Sequence, residues 1–165
     1  MKPVVVITGV QGGIGRSTAE LFTDNGWNVV GIGRGQNDDN FSIHHYIQAD
    51  VSKTSQWEKI FHEISVNDGY INALVNNAAI QICKPIVETT VKEWDEVMAT
   101  NLRSVFLSVR YLLPLFTAKS GSIINISSVH AIATSKNIAA YAASKGGLLA
   151  FTRALAIELS PNNIR

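Results

Sequence analysis

The stretch VVVITGVQGGIGRSTAELF, residues 4–22, decides the fold. Val4, Val5, Val6 and Ile7 are an uninterrupted run of branched apolar residues, the pattern of a strand buried on both faces of a parallel sheet. The run ends in Thr8 and a glycine turn, Gly9-x-x-x-Gly13-x-Gly15, after which residues 16–22 read as helix. Strand, glycine turn and helix, in that order, are the parts of a site for a nucleotide phosphate. Glycine lets the backbone approach a pyrophosphate, and free N–H groups at a helix start face its negative charge. The spacing differs from the G-x-G-x-x-G of the commoner dinucleotide fingerprint.

Outward from this stretch, residues 28–33 form a second strand, reached through a turn at Asn25 and Gly26. An acidic residue at the end of this strand would bond an adenosine ribose, whereas arginine accommodates a 2′-phosphate. Here Gly33 is followed by Arg34, with no acid before Asp38, which favours NADP(H) over NAD(H) while leaving NAD(H) possible. Residues 35–40 are polar turn material, and residues 44–48 a third strand leading to Asp50 and Val51. The paired His44 and His45 lack a partner at metal-ligand spacing and read as ordinary strand positions, so no metal site is expected.

Ser52 is expected to cap a helix over residues 53–66, with Trp57, Ile60, Phe61 and Ile64 on its buried stripe. Residues 71–75 are a fourth strand running into Asn76, Asn77, Ala78 and Ala79, and Thr90 caps the next helix. A longer helix is expected over residues 101–116, shortened at its end by Pro114. Residues 121–128 are a fifth strand, and a helix carrying Tyr141 runs to about residue 160. Alternating strands and helices imply an α/β, Rossmann-like, doubly wound parallel sheet. Five strands are complete and a sixth is only begun at Ile164 and Arg165.

The composition narrows the classes of function. Hydrophobic residues at 46% and charged residues at 16% of the 165 describe a globular chain, and a net charge of +1 gives no reason to expect nucleic acid or an anionic membrane. No apolar run is long enough to span a membrane, and no secretory signal is apparent. Cys83 is the single cysteine, which rules out an internal disulfide and fits a reducing cytoplasm.

Tyr141 and Lys145, four residues apart on an Ala-rich helix, project from one face. An ammonium close to a phenol favours the phenolate, which would fit Tyr141 for proton transfer near neutral pH. A lone Y-x-x-x-K is common by chance, and it gains meaning only beside a cofactor site.

With these pieces in place the chain resembles the short-chain dehydrogenase/reductase family, most of all its 3-oxoacyl-carrier-protein reductases and related alcohol dehydrogenases. The resemblance rests on T-G-x-x-x-G-x-G at Thr8 to Gly15, Asp50-Val51, N-N-A-A beginning at Asn76, Asn101, Ser128, and Y-x-x-x-K at Tyr141 to Lys145. Ala79 stands where the family usually has Gly. The resemblance implies that Gly9, Gly13, Ile14 and Gly15 shape the pyrophosphate turn. It implies that Asp50 and Val51 hold the adenine, and that Asn77 and Ala78 line the ribose side. Ser128 would bond the substrate oxygen, and Tyr141 would pass a proton to or from it. Lys145 would bind the nicotinamide ribose, and Asn101 would hold a water linking Lys145 to solvent. The implied activity is NAD(P)-dependent interconversion of a small-molecule ketone and a secondary alcohol.

Family members usually run to roughly 250 residues. Residues 1–165 therefore read as one dinucleotide-binding and catalytic domain without the usual C-terminal strands and substrate lid. That leaves a second reading, a non-catalytic dinucleotide-binding module or an inactive fragment of such an enzyme. The resemblance also implies a homodimer or homotetramer, paired through the helices that carry Leu102, Val105, Phe106, Leu148, Leu149 and Phe151. Gly146 and Gly147 in the second of these helices suggest close packing there.

Overall fold

The computed structural model describes residues 1–38, 41–116 and 120–165, so the turn expected over residues 35–40 is seen only as far as Asp38. Five strands, β1 (Val4–Thr8), β2 (Asn28–Gly33), β3 (His45–Gln48), β4 (Ala73–Asn76) and β5 (Ser122–Asn125), form one all-parallel sheet in the order β3-β2-β1-β4-β5. Every residue of β1 is buried, as its unbroken apolar run requires of a central strand covered on both faces.

Period-two alternation divides the strands between two cores. Val4, Val6 and Leu74 face one side with Ile60, Ile64, Leu107 and Leu112, under α2 (Trp57–Asn67), α4 (Ser104–Leu112) and α5 (Ala139–Leu159). Val5, Ile7 and Val75 face the other with Ala19, under α1 (Gly13–Asp24). The chain proceeds outward from β1 through β2 to β3 and returns on the far side of β1 as β4. This reversal opens a crevice above the C-terminal ends of β1 and β4, where ligands of such sheets bind. Beyond β5, Ile164 forms a parallel bridge with Gly121, and the Ile123 N–H donates to the Arg165 carbonyl at 2.8 Å, so a sixth strand begins there.

Three expected details differ. Ser52 caps no helix: its N–H and hydroxyl both donate to Asp50 Oδ1, at 3.0 and 2.7 Å, and a 3₁₀ turn (Thr54–Gln56) precedes α2. An Asx turn offers a serine two residues after an aspartate a local partner that competes with capping. Asn101 does not begin a helix either. It lies in a π-helical turn (Ala99–Arg103) that joins α3 (Val91–Met98) to α4 without a break. Val105 and Leu148, expected at an interface between copies, are 3% and 1% exposed and belong to the interior of the chain itself.

Thr90 caps α3 as expected. Its hydroxyl accepts from the Glu93 N–H while the Glu93 carboxylate accepts from the Thr90 N–H. Lys84 pairs with the same carboxylate, and these bonds hold the Glu93 carboxyl down to about 2. Pro114 sits in the 3₁₀ turn (Leu113–Leu115) that ends the α4 segment. No helix among the described residues is long and apolar enough to cross a membrane.

Candidate active site

The glycine turn is built against the loop after β4. Thr8 Oγ1, buried at the end of β1, accepts from the N–H groups of Asn77 and Ala78 at 3.0 and 3.1 Å. Asn77 Nδ2 returns two bonds, to the carbonyls of Thr8 and Gly9 at 3.0 and 3.1 Å. Gly9 takes a left-handed φ of 74°, where a side chain would be strained, and a Cβ there would lie 2.9 Å from Ala78 Cα. Cβ atoms at Gly12 and Gly13 would instead meet nothing within 4 Å, so this part of the turn faces open space. No side chain caps the start of α1 at Gly12, leaving its first N–H groups directed at that space. A cradle bounded by free N–H donors fits a pyrophosphate.

A cavity of about 290 Å³ lies beside the turn, lined by Gly9, Gln11, Gly33, Arg34, Asp50 and Val51 on one side and Asn77 to Ile80 on the other. Asp50 and Val51 are fixed from behind. The Asp50 N–H donates to Gln56 Oε1, and the buried Trp57 indole donates to the Val51 carbonyl at 2.9 Å. At the end of β2, Arg34 is exposed and finds no carboxylate among the described residues. Asp38 is instead drawn to Arg16 of α1, 2.8 Å from its Nη1, and that hydrogen bond raises the Arg16 pKa.

The second half of the site gathers at the end of β5. Ser128 begins a 3₁₀ turn (Val129–Ala131), its hydroxyl accepting from the His130 N–H at 3.2 Å. The His130 ring meets Tyr141 edge-on, 6.1 Å between centroids. Lys145 Nζ lies 5.8 Å from the Tyr141 ring centroid and donates to the Ile126 carbonyl at 2.7 Å. Lys145 is only 3% exposed, and burial lowers its pKa. A buried ammonium whose partner among the described residues is one carbonyl is costly to keep, as is usual of working groups rather than structural ones.

Asn101 joins the two halves. Its side chain accepts from the Ile80 N–H and donates to the Ile80 carbonyl, both at 2.8 Å, and also donates to Ser144 Oγ at 3.1 Å. Ser144 in turn donates to the Tyr141 carbonyl at 2.7 Å. Asn101 is thus a brace from the cavity wall at Ile80 to the Tyr141 helix, made possible by the π turn that carries it inward.

The structure therefore lines one cavity with Gly9, Arg34, Asp50, Val51, Asn77 and Ala78, and Gly13, Ile14 and Gly15 begin α1 next to it in the chain. Tyr141 and Lys145 meet on α5, Ser128 bonds the backbone of the His130 that meets Tyr141, and Asn101 ties the cavity wall at Ile80 to α5. Sequence reasoning quoted Thr8 in the glycine motif but gave no role to its side chain, nor to those of Gln11 and Ser144. Thr8 was within reach, since a threonine opening a glycine turn has a hydroxyl to offer the adjacent loop. The bonds of Gln11 and Ser144 depend on how distant segments meet. Among the described residues no group of three or more His, Cys, Asp or Glu side chains is placed to hold a metal.

Comparison with known proteins extends this geometry. The family model described as short chain dehydrogenase matches residues 3–165. A cyclopentanol dehydrogenase of Comamonas testosteroni is 39% identical over 122 residues, covering 73% of this chain and 49% of the relative. The 3beta-hydroxysteroid dehydrogenase 1 of Eggerthella lenta is 35% identical over 173 residues, 98% of this chain and 66% of the relative. The ligand-free aldohexose dehydrogenase of Thermoplasma acidophilum superposes with a TM-score of 0.93 at 32% identity, covering 99% of this chain and 64% of that one. The chain thus spans about half to two thirds of the length of these proteins.

Proposed function

The chain belongs to the short-chain dehydrogenase family of oxidoreductases, and from that premise we propose that it interconverts a ketone and a secondary alcohol with NADP(H) as the preferred coenzyme. The observation that carries the reading is Lys145, a nearly buried ammonium held beside the Tyr141 ring on the helix that Asn101 ties to the wall of the glycine-lined cavity. When bound, the nicotinamide coenzyme supplies or accepts the hydride. The N-terminus of α1 and the glycine turn would hold its pyrophosphate, and Asp50 and Val51 its adenine. Lys145 has three N–H groups and donates one to Ile126, which leaves donors for ribose hydroxyls. A carbonyl gaining hydride builds negative charge on oxygen. Ser128 and Tyr141 would supply the hydroxyl donors that stabilise that charge, and Tyr141 would deliver the proton.

Two features support NADP(H). Arg34 follows β2 without a carboxylate partner among the described residues, and Arg16 holds the carboxylate of Asp38. The test is absorbance-monitored oxidation of NADPH and NADH with cyclic ketones, the class suggested by the cyclopentanol and hydroxysteroid dehydrogenases among its relatives. Turnover at least about tenfold more efficient with NADPH is expected, given the worth of a charge-assisted bond. Nucleotide binding without turnover of any ketone would favour the non-catalytic module, and no binding at all would remove the proposal.

We also propose that copies pair through α3, α4 and α5. A groove there is lined by Val91, Met98, Leu102, Phe106, Gly147 and Phe151, and Phe106 is 45% exposed. Gly147 packs closely within the chain itself, since a Cβ on it would lie 3.0 Å from Leu102 Cδ2. Light scattering should report a homodimer or homotetramer, and a monomer at micromolar concentration would count against the pairing.

A further inference from the structure

The sequence Gly33-Arg34-Gly35 has a structural reason that the family resemblance does not supply. A Cβ at Gly33 would lie 2.7 Å from Gln11 Oε1 and 2.6 Å from the Tyr46 hydroxyl, and one at Gly35 would lie 2.6 Å from Gln11 Nε2. The two glycines flanking Arg34 thus leave the space in which the Gln11 amide lies. From there Gln11 Oε1 accepts from the Gly35 N–H and Gln11 Nε2 donates to the Gln36 carbonyl, both at 2.9 Å. The assignment of O and N in that amide follows from its partners, because a backbone N–H only donates and a carbonyl only accepts. Two further side chains hold the same turn. The Tyr46 hydroxyl donates to the Gly35 carbonyl at 2.7 Å, and Gln48 Nε2 donates to the Arg34 carbonyl at 3.0 Å.

Gln11 comes from the glycine turn, so it ties the pyrophosphate side of the crevice directly to the segment bearing Arg34. Gln11, Gly33 and Arg34 all line the same cavity. A flexible turn would let an exposed arginine spread over solvent, and ordering it on binding would cost affinity. A turn already fixed on both sides of Arg34 keeps the origin of that side chain in one place.

We propose that Gln11 is a positioning residue for coenzyme selectivity: by clamping Gly35 and Gln36 it fixes the backbone from which Arg34 reaches a 2′-phosphate. The proposal rests on the NADP(H) reading above. It assigns Gln11 no contact with the phosphate itself and no part in hydride or proton transfer.

Calorimetric titration with 2′,5′-ADP and with 5′-ADP separates this from the reading beneath it. The chain should bind 2′,5′-ADP at least about tenfold more tightly, and Arg34→Gln should erase that preference. Gln11→Met keeps the length of the side chain and removes both bonds, and it should lower the ratio of the two affinities about tenfold, the worth of two modest hydrogen bonds. Gly35→Ala, which displaces the Gln11 amide, should do the same. A merely structural role for Gln11 would weaken both ligands together and leave the ratio unchanged. A ratio kept in Gln11→Met and in Gly35→Ala but lost in Arg34→Gln overturns the positioning role and spares the NADP(H) reading. Equal affinities in the unaltered chain overturn both.

Discussion

Tyr141→Phe is expected to abolish ketone reduction, lowering kcat by at least about a thousandfold, while changing NADPH affinity by no more than about threefold. The magnitude is that of a positioned proton donor, whose removal typically costs factors of about 100 to 10,000. The geometry makes this substitution unusually clean. Among the described residues the Tyr141 hydroxyl makes no hydrogen bond, so its removal strands no buried partner. The ties that hold the residue do not involve the hydroxyl. Ser144 donates to the backbone carbonyl, and the edge-on contact with His130 uses the ring, which phenylalanine keeps. The Lys145 ammonium remains bonded to Ile126. An unchanged melting temperature with lost turnover would therefore report on chemistry alone. Turnover within tenfold of the unaltered chain would take Tyr141 out of the mechanism and reduce Ser128 and Lys145 to a polar cluster.

Much of this arrangement could be read in the sequence, for reasons that differ between elements. β1 and β2 announced themselves because central parallel strands must be apolar on both faces, and few other structures tolerate such runs. Gly9 was legible as a turn because its left-handed φ excludes most other residues. The π turn at residues 99–103 was not legible, since it differs from α-helix by one residue in register and leaves no change in composition. Its consequence is large all the same, because it carries Asn101 inward to Ile80 and Ser144. Val105 and Leu148 were assigned to the outside because α4 and α5 are apolar around much of their surface, and periodicity cannot say which stripe meets the sheet. The Gln11 clamp was hidden for a third reason: it joins segments 24 residues apart whose contact depends on how β2 ends.

Gly15→Ala should disable the coenzyme site and lower stability together. A Cβ at this position would lie 2.1 Å from the Gly9 carbonyl oxygen and 2.5 Å from Asn77 Nδ2. Asn77 could swing away, but only by releasing the carbonyls of Thr8 and Gly9 that its amide now holds. Gly9 has less freedom still, because its N–H donates to the Ile32 carbonyl at 2.7 Å and Ala78 packs against its α-carbon. Relief must then come from backbone, either of the turn or of the first residues of α1. Overpacking of this kind costs about 1–3 kcal/mol, visible as a lower melting temperature. The same displacement carries the free N–H groups of α1 away from any pyrophosphate. Losing one or two charge-assisted bonds corresponds to roughly a hundredfold in affinity. Gly12→Ala is the matched comparison for stability. Its φ of −175° is extended backbone that any residue adopts, and a Cβ there meets nothing within 4 Å, so its melting temperature should stay where it was. Equal melting temperatures for the two variants, with NADPH affinity intact in Gly15→Ala, would mean that the close approach of Gly15 to Gly9 does not shape the coenzyme cradle.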